Sequence, residues 1–213
     1  MQTEIFVIRH GESEANRRDA FLGHMDLPLT DIGRKQAAAA AAYLKDIKPD
    51  VIYSSDLSRA YDTACCTAKN WNMPVTRDPQ LREIDAGEWE NVPFSELEVK
   101  CPESYGIWLS DVGHSRCDGG ESVAELQERF VAAVTRIAAA HPGQRVFIFA
   151  HGTPIKAFAT HCLGLTLDQW AKLPWASNAS VTRAVYENGE FTLIDYSRDE
   201  FMGDLVTRLP DNV

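Results

Sequence analysis

Two histidines in this 213-residue chain stand in matching surroundings: Ile5-Phe6-Val7-Ile8-Arg9-His10-Gly11 and Phe147-Ile148-Phe149-Ala150-His151-Gly152. An imidazole can act as a nucleophile or move protons, and a glycine after it lets backbone approach a ligand closely. Arg9 precedes the first histidine, and Arg59 arrives in Ser54-Ser55-Asp56-Leu57-Ser58-Arg59-Ala60. Guanidinium forks match the oxygens of a phosphate-type anion. Each group alone has a plainer reading, since an Arg-His-Gly occurs in solvated turns and a first-turn arginine usually faces water. Arg59, however, opposes the helix dipole unless an anion lies nearby. Together the four side chains describe an anion-sized pocket bordered by two imidazoles and two guanidiniums.

The elements needed to position them are legible in outline. Ile5–Ile8 and Val146–Ala150 are apolar without alternation, as in central strands covered on both faces. If they are parallel neighbours about 4.8 Å apart, both histidines border one space at the strand carboxyl ends, where open α/β sheets bind ligands. Thr30 is a plausible N-cap for a helix to about Ile47, with a small-residue run at Ala37–Ala42 suited to packing on a sheet. Val51–Tyr53 reads as a second strand that delivers Arg59 into a helix start. A short strand is expected at Pro74–Thr76, and a structured loop over Leu81–Glu90.

Ser122-Val123-Ala124-Glu125 has capping-box spacing, and Val123, Leu126, Phe130, Val134 and Ile137 continue it at helical intervals to about Ala140. Thr153 as N-cap and Pro154 at the first helical position open another helix, which Gly164 ends. Asn188-Gly189 between Val181–Tyr186 and Phe191–Tyr196 signals a hairpin. The expected fold is a three-layer α/β/α sandwich with a mostly parallel central sheet and an antiparallel edge. We expect one domain over 1–213, with an insertion around 91–118, rich in scattered aromatics, capping the sheet edge.

Composition narrows the function. With 45% hydrophobic and 24% charged residues the chain is an ordinary globular protein, and its formal charge of −10 argues against nucleic acid or an anionic membrane as partner. No run is apolar and long enough to span a bilayer, and Met1-Gln2-Thr3-Glu4 lacks the character of a signal peptide, so the cytoplasm is expected. Five cysteines (Cys65, Cys66, Cys101, Cys117, Cys162) with no C-x-x-C pair fit reduced thiols better than a disulfide framework or a zinc site.

Several motifs in order carry a family resemblance. Arg9-His10-Gly11-Glu12-Ser13 with Asn16, Ser54 to Ala60 with Thr63-Ala64, Glu83 ahead of Gly87-Glu88-Trp89-Glu90, Gly120-Glu121-Ser122, and Ala150-His151-Gly152 together resemble the phosphoglycerate mutase-like branch of the histidine phosphatase superfamily. The resemblance spans nearly the whole chain. It implies that His10 is a nucleophile that becomes phosphorylated, with Arg9, Arg59 and His151 holding phosphoryl oxygens. Glu83 is implied as the general acid and base, chosen over Glu88 and Glu90 by the family pattern alone. Asn16, Ser58 and Gly152 are implied as further phosphate or substrate ligands, and Asn178 as a residue that positions either His10 or the substrate. The implied partner is a small phosphorylated substrate, with no metal and no cofactor, and a homodimer is compatible.

Other phosphatase chemistries fail on inspection. No cysteine has an arginine six positions later, no Asp-x-Asp occurs, and there is no Gly-Lys dipeptide for a P-loop. A metal site on His10, Glu12 and His151 would place a dication beside two arginines. A non-catalytic phosphate-binding module is disfavoured because every expected reactive group is present. A cofactor-dependent mutase is the closer rival, but residues 91–115 carry one cation, Lys100, where mutases need several above the pocket. A metal-independent phosphomonoesterase is therefore expected. His24 and Glu90-Asn91 depart from common family patterns, and Trp89, Phe94, Tyr105 and Trp108 form either an apolar lid or the core of the insertion. Sugar phosphates, alpha-ribazole-type phosphates, phosphocarboxylates and phosphoproteins all stay open as substrates.

Overall fold

A computed structural model describes residues 1–18 and 20–207. The expected single domain over 1–213 extends in part outside those residues. The strands are β1 (Thr3–Arg9), β2 (Val51–Ser54), β3 (Thr76–Arg77), β4 (Arg145–Ala150), β5 (Val181–Glu187) and β6 (Glu190–Arg198). The α-helices are α1 (Asp31–Leu44), α2 (Ser58–Ala68), α3 (Phe94–Lys100), α4 (Pro102–Ser110), α5 (Val123–Ala140) and α6 (Gly152–Cys162). One sheet runs in the order β3-β2-β4-β1-β5-β6, with β3, β2, β4 and β1 parallel, β5 antiparallel to β1, and β6 antiparallel to β5.

The unbroken apolar runs of β1 and β4 have the expected meaning. Ile5, Val7, Val146 and Ile148 pack with Phe130, Val134 and Ile137 of α5 and with Ile155 and Phe158 of α6. Their neighbours in sequence, Phe6, Ile8, Phe147 and Phe149, point the other way and pack with Leu44 of α1 and Ala64 and Ala68 of α2. Side chains alternate across a strand, so only an all-apolar strand can serve two helical layers. The Thr30 cap and the Ser122–Glu125 capping box both form. Asn188 and Gly189 adopt positive φ values of 54° and 92°, as their two-residue hairpin requires.

Three expectations need correction. The helix after β4 begins at Gly152 with His151 as N-cap, not at Pro154 behind Thr153. Pro154 is still compatible, because the N–H groups of a first turn have no helical acceptor. The edge strand is Thr76–Arg77 rather than Pro74–Thr76. The 91–118 segment does not cover a sheet edge. Its Leu97, Tyr105, Trp108 and Cys117 pack with Phe21, Ile84, Trp89, Val123, Leu126 and Ala157, over the loops at the strand carboxyl ends and the starts of α5 and α6. Trp89, Tyr105 and Trp108 are thus the core of the cap, with fractional exposures of 0, 5 and 3%.

Candidate active site

Register brings the two histidines together. Arg9 on β1 lies opposite Ala150 on β4, and the next N–H, that of His10, donates to the Ala150 carbonyl at 3.0 Å. His10 and His151 therefore leave adjacent parallel strands side by side, with ring centroids 5.1 Å apart at 61°. Both are buried, with exposures of 4 and 0%.

The turn after His10 is tied down on several sides. Its carbonyl accepts from Ala179 N at 3.1 Å and Asn178 Nδ2 at 3.2 Å. Gly11 N donates to Thr63 Oγ1 at 3.2 Å, and Glu12 N donates to Gln36 Oε1 at 2.7 Å. A Cβ on Gly11 would lie 2.3 Å from the Gly33 carbonyl oxygen, so the glycine is required for contact with α1 rather than for approach to a ligand. The approach to a reactive group belongs to Gly152, where a Cβ would touch the Arg9 guanidinium carbon at 3.4 Å.

His10 Nδ1 lies 2.6 Å from the Gly11 carbonyl. A carbonyl only accepts, so Nδ1 carries the hydrogen of the neutral ring and Nε2 carries the lone pair. Burial, then Arg59 and Arg9, hold the His10 pKa well below that of an ordinary histidine. His151 is lowered in the same direction by burial, Arg59 and His10. Both rings are thus neutral at pH 7.

The arginines are held by backbone carbonyls rather than by carboxylates. Arg59, second residue of α2, donates through one terminal nitrogen to Met25 O and through the other to Gly23 O, each at 2.8 Å. Arg9 donates to the Ala176 carbonyl. Burial lowers its pKa to about 10, an effect that Glu83 opposes. Among the described residues two buried polar atoms here, Arg9 Nε and His151 Nδ1, have no hydrogen-bond partner, whereas His151 Nε2 meets Ser55 Oγ at 2.9 Å. Unpartnered buried polar atoms among uncompensated cations are what an oxyanion would satisfy.

Glu83 is buried at the start of α6, where Oε2 accepts from Thr153 N at 3.2 Å and Oε1 accepts from Ile84 N at 2.8 Å. Its rivals stand elsewhere. Glu88 is exposed, and Glu90 accepts from the N–H groups of Gly23, His24 and Met25 at 2.9 to 3.0 Å. That triple contact fixes the loop whose carbonyls receive Arg59, a structural role that no spacing in the sequence signals. Ser55, within a motif already singled out, proves to be the partner of His151.

The weaker candidates differ in availability. Asn178 is buried against the His10 carbonyl, and Asn16 is exposed with its Oδ1 accepting from Ser13 N and Oγ at 3.0 Å, which leaves its amide N–H groups free to face a ligand. Ser58 donates its O–H to Asp26 Oδ1 at 2.7 Å, so its single donor is already engaged. Glu12 accepts from Thr30 Oγ1 at 2.7 Å. Among the described residues no group of three or more His, Cys, Asp or Glu side chains is placed to hold a metal ion, and no helix is long and apolar enough to cross a membrane.

Comparison with known proteins agrees with this geometry. The family model for the histidine phosphatase superfamily (branch 1) matches residues 5–199. A glucosyl-3-phosphoglycerate phosphatase of Mycolicibacterium vanbaalenii is 34% identical over 92% of each chain. A metal-independent phosphoserine phosphatase of Arabidopsis thaliana is 37% identical over 73% of this chain and 66% of its own. Among solved structures, Bacillus stearothermophilus YhfR superposes with a TM-score of 0.89 at 28% identity, covering 94% of this chain and 99% of its own.

Proposed function

The chain belongs to branch 1 of the histidine phosphatase superfamily, and from that premise we propose that it hydrolyses small phosphomonoesters through a phosphohistidine formed on His10. One observation carries the assignment of the nucleophile. The 2.6 Å contact between His10 Nδ1 and the Gly11 carbonyl leaves Nε2 as a lone pair in a buried pocket of two arginines and a neutral second histidine.

In the first step His10 Nε2 attacks phosphorus in line with the leaving oxygen. The P–O bond breaks, its electron pair stays on the leaving oxygen, and the Glu83 carboxyl protonates that oxygen. Arg9, Arg59, His151 and the amino end of α6 meet charge on the three equatorial oxygens. In the second step water attacks the phosphohistidine and gives its proton to Glu83, while the P–N bond electrons return to Nε2. Every proton and electron pair is accounted for without a metal.

Transfer back to substrate, as in a mutase, would call for further cations above the pocket. Lys100 in the cap is 2.7 Å from Glu96, and Arg116 is bound to Glu125 and the Gly120 carbonyl, so neither is free for that role. Hydrolysis is the reading these contacts support. Rapid acid-free quench with a radiolabelled phosphomonoester tests it: an alkali-stable, acid-labile phosphoenzyme is expected in the wild type and none in His10→Ala. A His10→Ala protein with wild-type turnover would overturn the assignment, and rapid isomerisation of 3-phosphoglycerate with little phosphate release would favour the mutase.

A further inference from the structure

Apart from the catalytic residues, a cavity of about 480 Å³ opens between the cap, α6 and the chain that follows α6. It is lined in part by Trp108, Trp170, Trp175, Asp111, Asp168 and Lys156, and by none of His10, Arg9, Arg59, Glu83 or His151. Its volume falls in the range of small-molecule sites. Lys156 is the unusual member: it projects from the buried side of α6 with 4% exposure, and its ammonium lies 4.4 Å from the Trp175 ring centre and 5.0 Å from that of Trp170. Among the described residues its ammonium has no hydrogen-bond or ion-pair partner.

The two carboxylates that line the cavity are otherwise engaged. Asp111 meets His114 Nδ1 at 3.0 Å, and Asp168 lies 3.6 Å from His114 Nε2. A buried ammonium without a counter-ion is costly, and indole faces recover only part of its lost hydration. Consistent with that, burial alone lowers the Lys156 pKa to about 8.

We propose that this cavity is a second binding site, for a small organic carboxylate whose planar apolar body lies against the indoles while its carboxylate pairs with the Lys156 ammonium. A monoanion fits better than a phosphate dianion, because a single buried cation stands at the site and two carboxylates border it. The catalytic side chains are absent from its lining, and the chain links the two sites at Trp175, which is followed by Ala176, whose carbonyl accepts from Arg9.

Calorimetry with 2-naphthoate on the full chain tests this, with orthovanadate added to occupy the catalytic pocket. Binding with a dissociation constant below about 1 mM is expected, and the neutral isostere 2-naphthamide should bind at least tenfold more weakly. Lys156→Met should lower the affinity for 2-naphthoate about tenfold or more, while Lys156→Arg should retain it.

A pH series gives an independent reading should Lys156→Met fold poorly. The charged groups facing the cavity are Lys156, Lys172, Asp111 and Asp168, with His114 between the two carboxylates. In Lys172→Gln, Lys156 is the remaining ammonium on the wall, so affinity should fall about tenfold between pH 7 and about pH 9 as it loses its proton. Absence of binding, equal binding of the amide, competition by vanadate, or a flat pH series would each overturn the proposal.

Discussion

His10 and Gly11 close a short loop on themselves: the ring Nδ1 sits 2.6 Å from the carbonyl oxygen of the very next residue. That contact fixes the tautomer by local geometry, so Nε2, the nitrogen we propose as nucleophile, carries the lone pair before any substrate arrives. Burial, with Arg59 and then Arg9, keeps the ring neutral, and the fixed tautomer together with that neutrality makes the pH dependence predictable.

Protonation of His10 removes the lone pair, so kcat/KM should fall as pH drops through its folded pKa. Burial and the two arginines place that pKa well below the ordinary value of 6.5, so the acid limb attributable to His10 should lie well under pH 6.5. Arg59 is the larger of the two charge effects. Arg59→Ala should move the limb upward in pH, besides lowering kcat/KM by roughly 100-fold or more through lost phosphate contacts. A limb that stayed in place would mean that Arg59 does not set the state of His10. Stability has the same sign: the folded pKa is depressed, so stability present above pH 6.5 should be lost as pH falls, because the unfolded chain takes up protons that the buried rings refuse.

Glu83→Gln separates acid from base. An activated ester such as p-nitrophenyl phosphate has a leaving group that needs no proton, so phosphorylation of His10 should be nearly preserved. An alkyl phosphate should lose about 100-fold or more in that step. Attack by water still needs a base, so phosphoenzyme should accumulate with the nitrophenyl ester. Pre-steady-state measurement of the nitrophenolate burst decides it, and absence of a burst with both substrates equally slowed would remove Glu83 from proton transfer.

How much of this was legible depends on the range of the interaction. The central strands, their order of faces and the paired histidines follow from β1 and β4 themselves, because a strand apolar at every position has only one place in such a sheet. Arg59 at a helix start could be recognised as a violation of the helix dipole. Its receptor loop could not, since Gly23 and Met25 contribute carbonyls that carry no side-chain signature. Glu90 was visible only as a rival acid, because its three N–H contacts depend on how the cap seats loop 23–25. The cap itself was misplaced for a related reason: Phe94, Tyr105 and Trp108 lack a periodic pattern, and their partners Phe21, Ile84 and Trp89 lie in loops.

Glu90→Ala therefore tests a role found only in three dimensions. Three backbone donors lose their acceptor, and a loss of about 1–3 kcal/mol is expected where water cannot replace it fully. Arg59 would keep its two carbonyls, but on a loosened loop, so KM should rise about tenfold with a smaller change in kcat. Urea unfolding together with steady-state kinetics reads both effects. Unchanged KM alongside reduced stability would show that the loop holds the fold without positioning Arg59.

Gly33→Ala probes the support beneath the nucleophile. A Cβ at residue 33 would lie 1.9 Å from the Glu12 carbonyl oxygen, a backbone atom that cannot rotate away. The reciprocal approach, 2.3 Å from a Gly11 Cβ to the Gly33 carbonyl, shows the two segments packed with no room for a side chain on either. Relief requires the 11–12 turn to lift from α1, which would weaken the bonds of Gly11 N to Thr63 and Glu12 N to Gln36. The expected outcome is a destabilisation of roughly 3 kcal/mol or more, with kcat/KM reduced in whatever folds, because His10 moves with its turn. Urea midpoints measure the first and phosphoenzyme formation the second. A stable, fully active Gly33→Ala protein would mean that the turn can shift without carrying His10 with it, and that the nucleophile is held by β1, Asn178 and Ala179 alone.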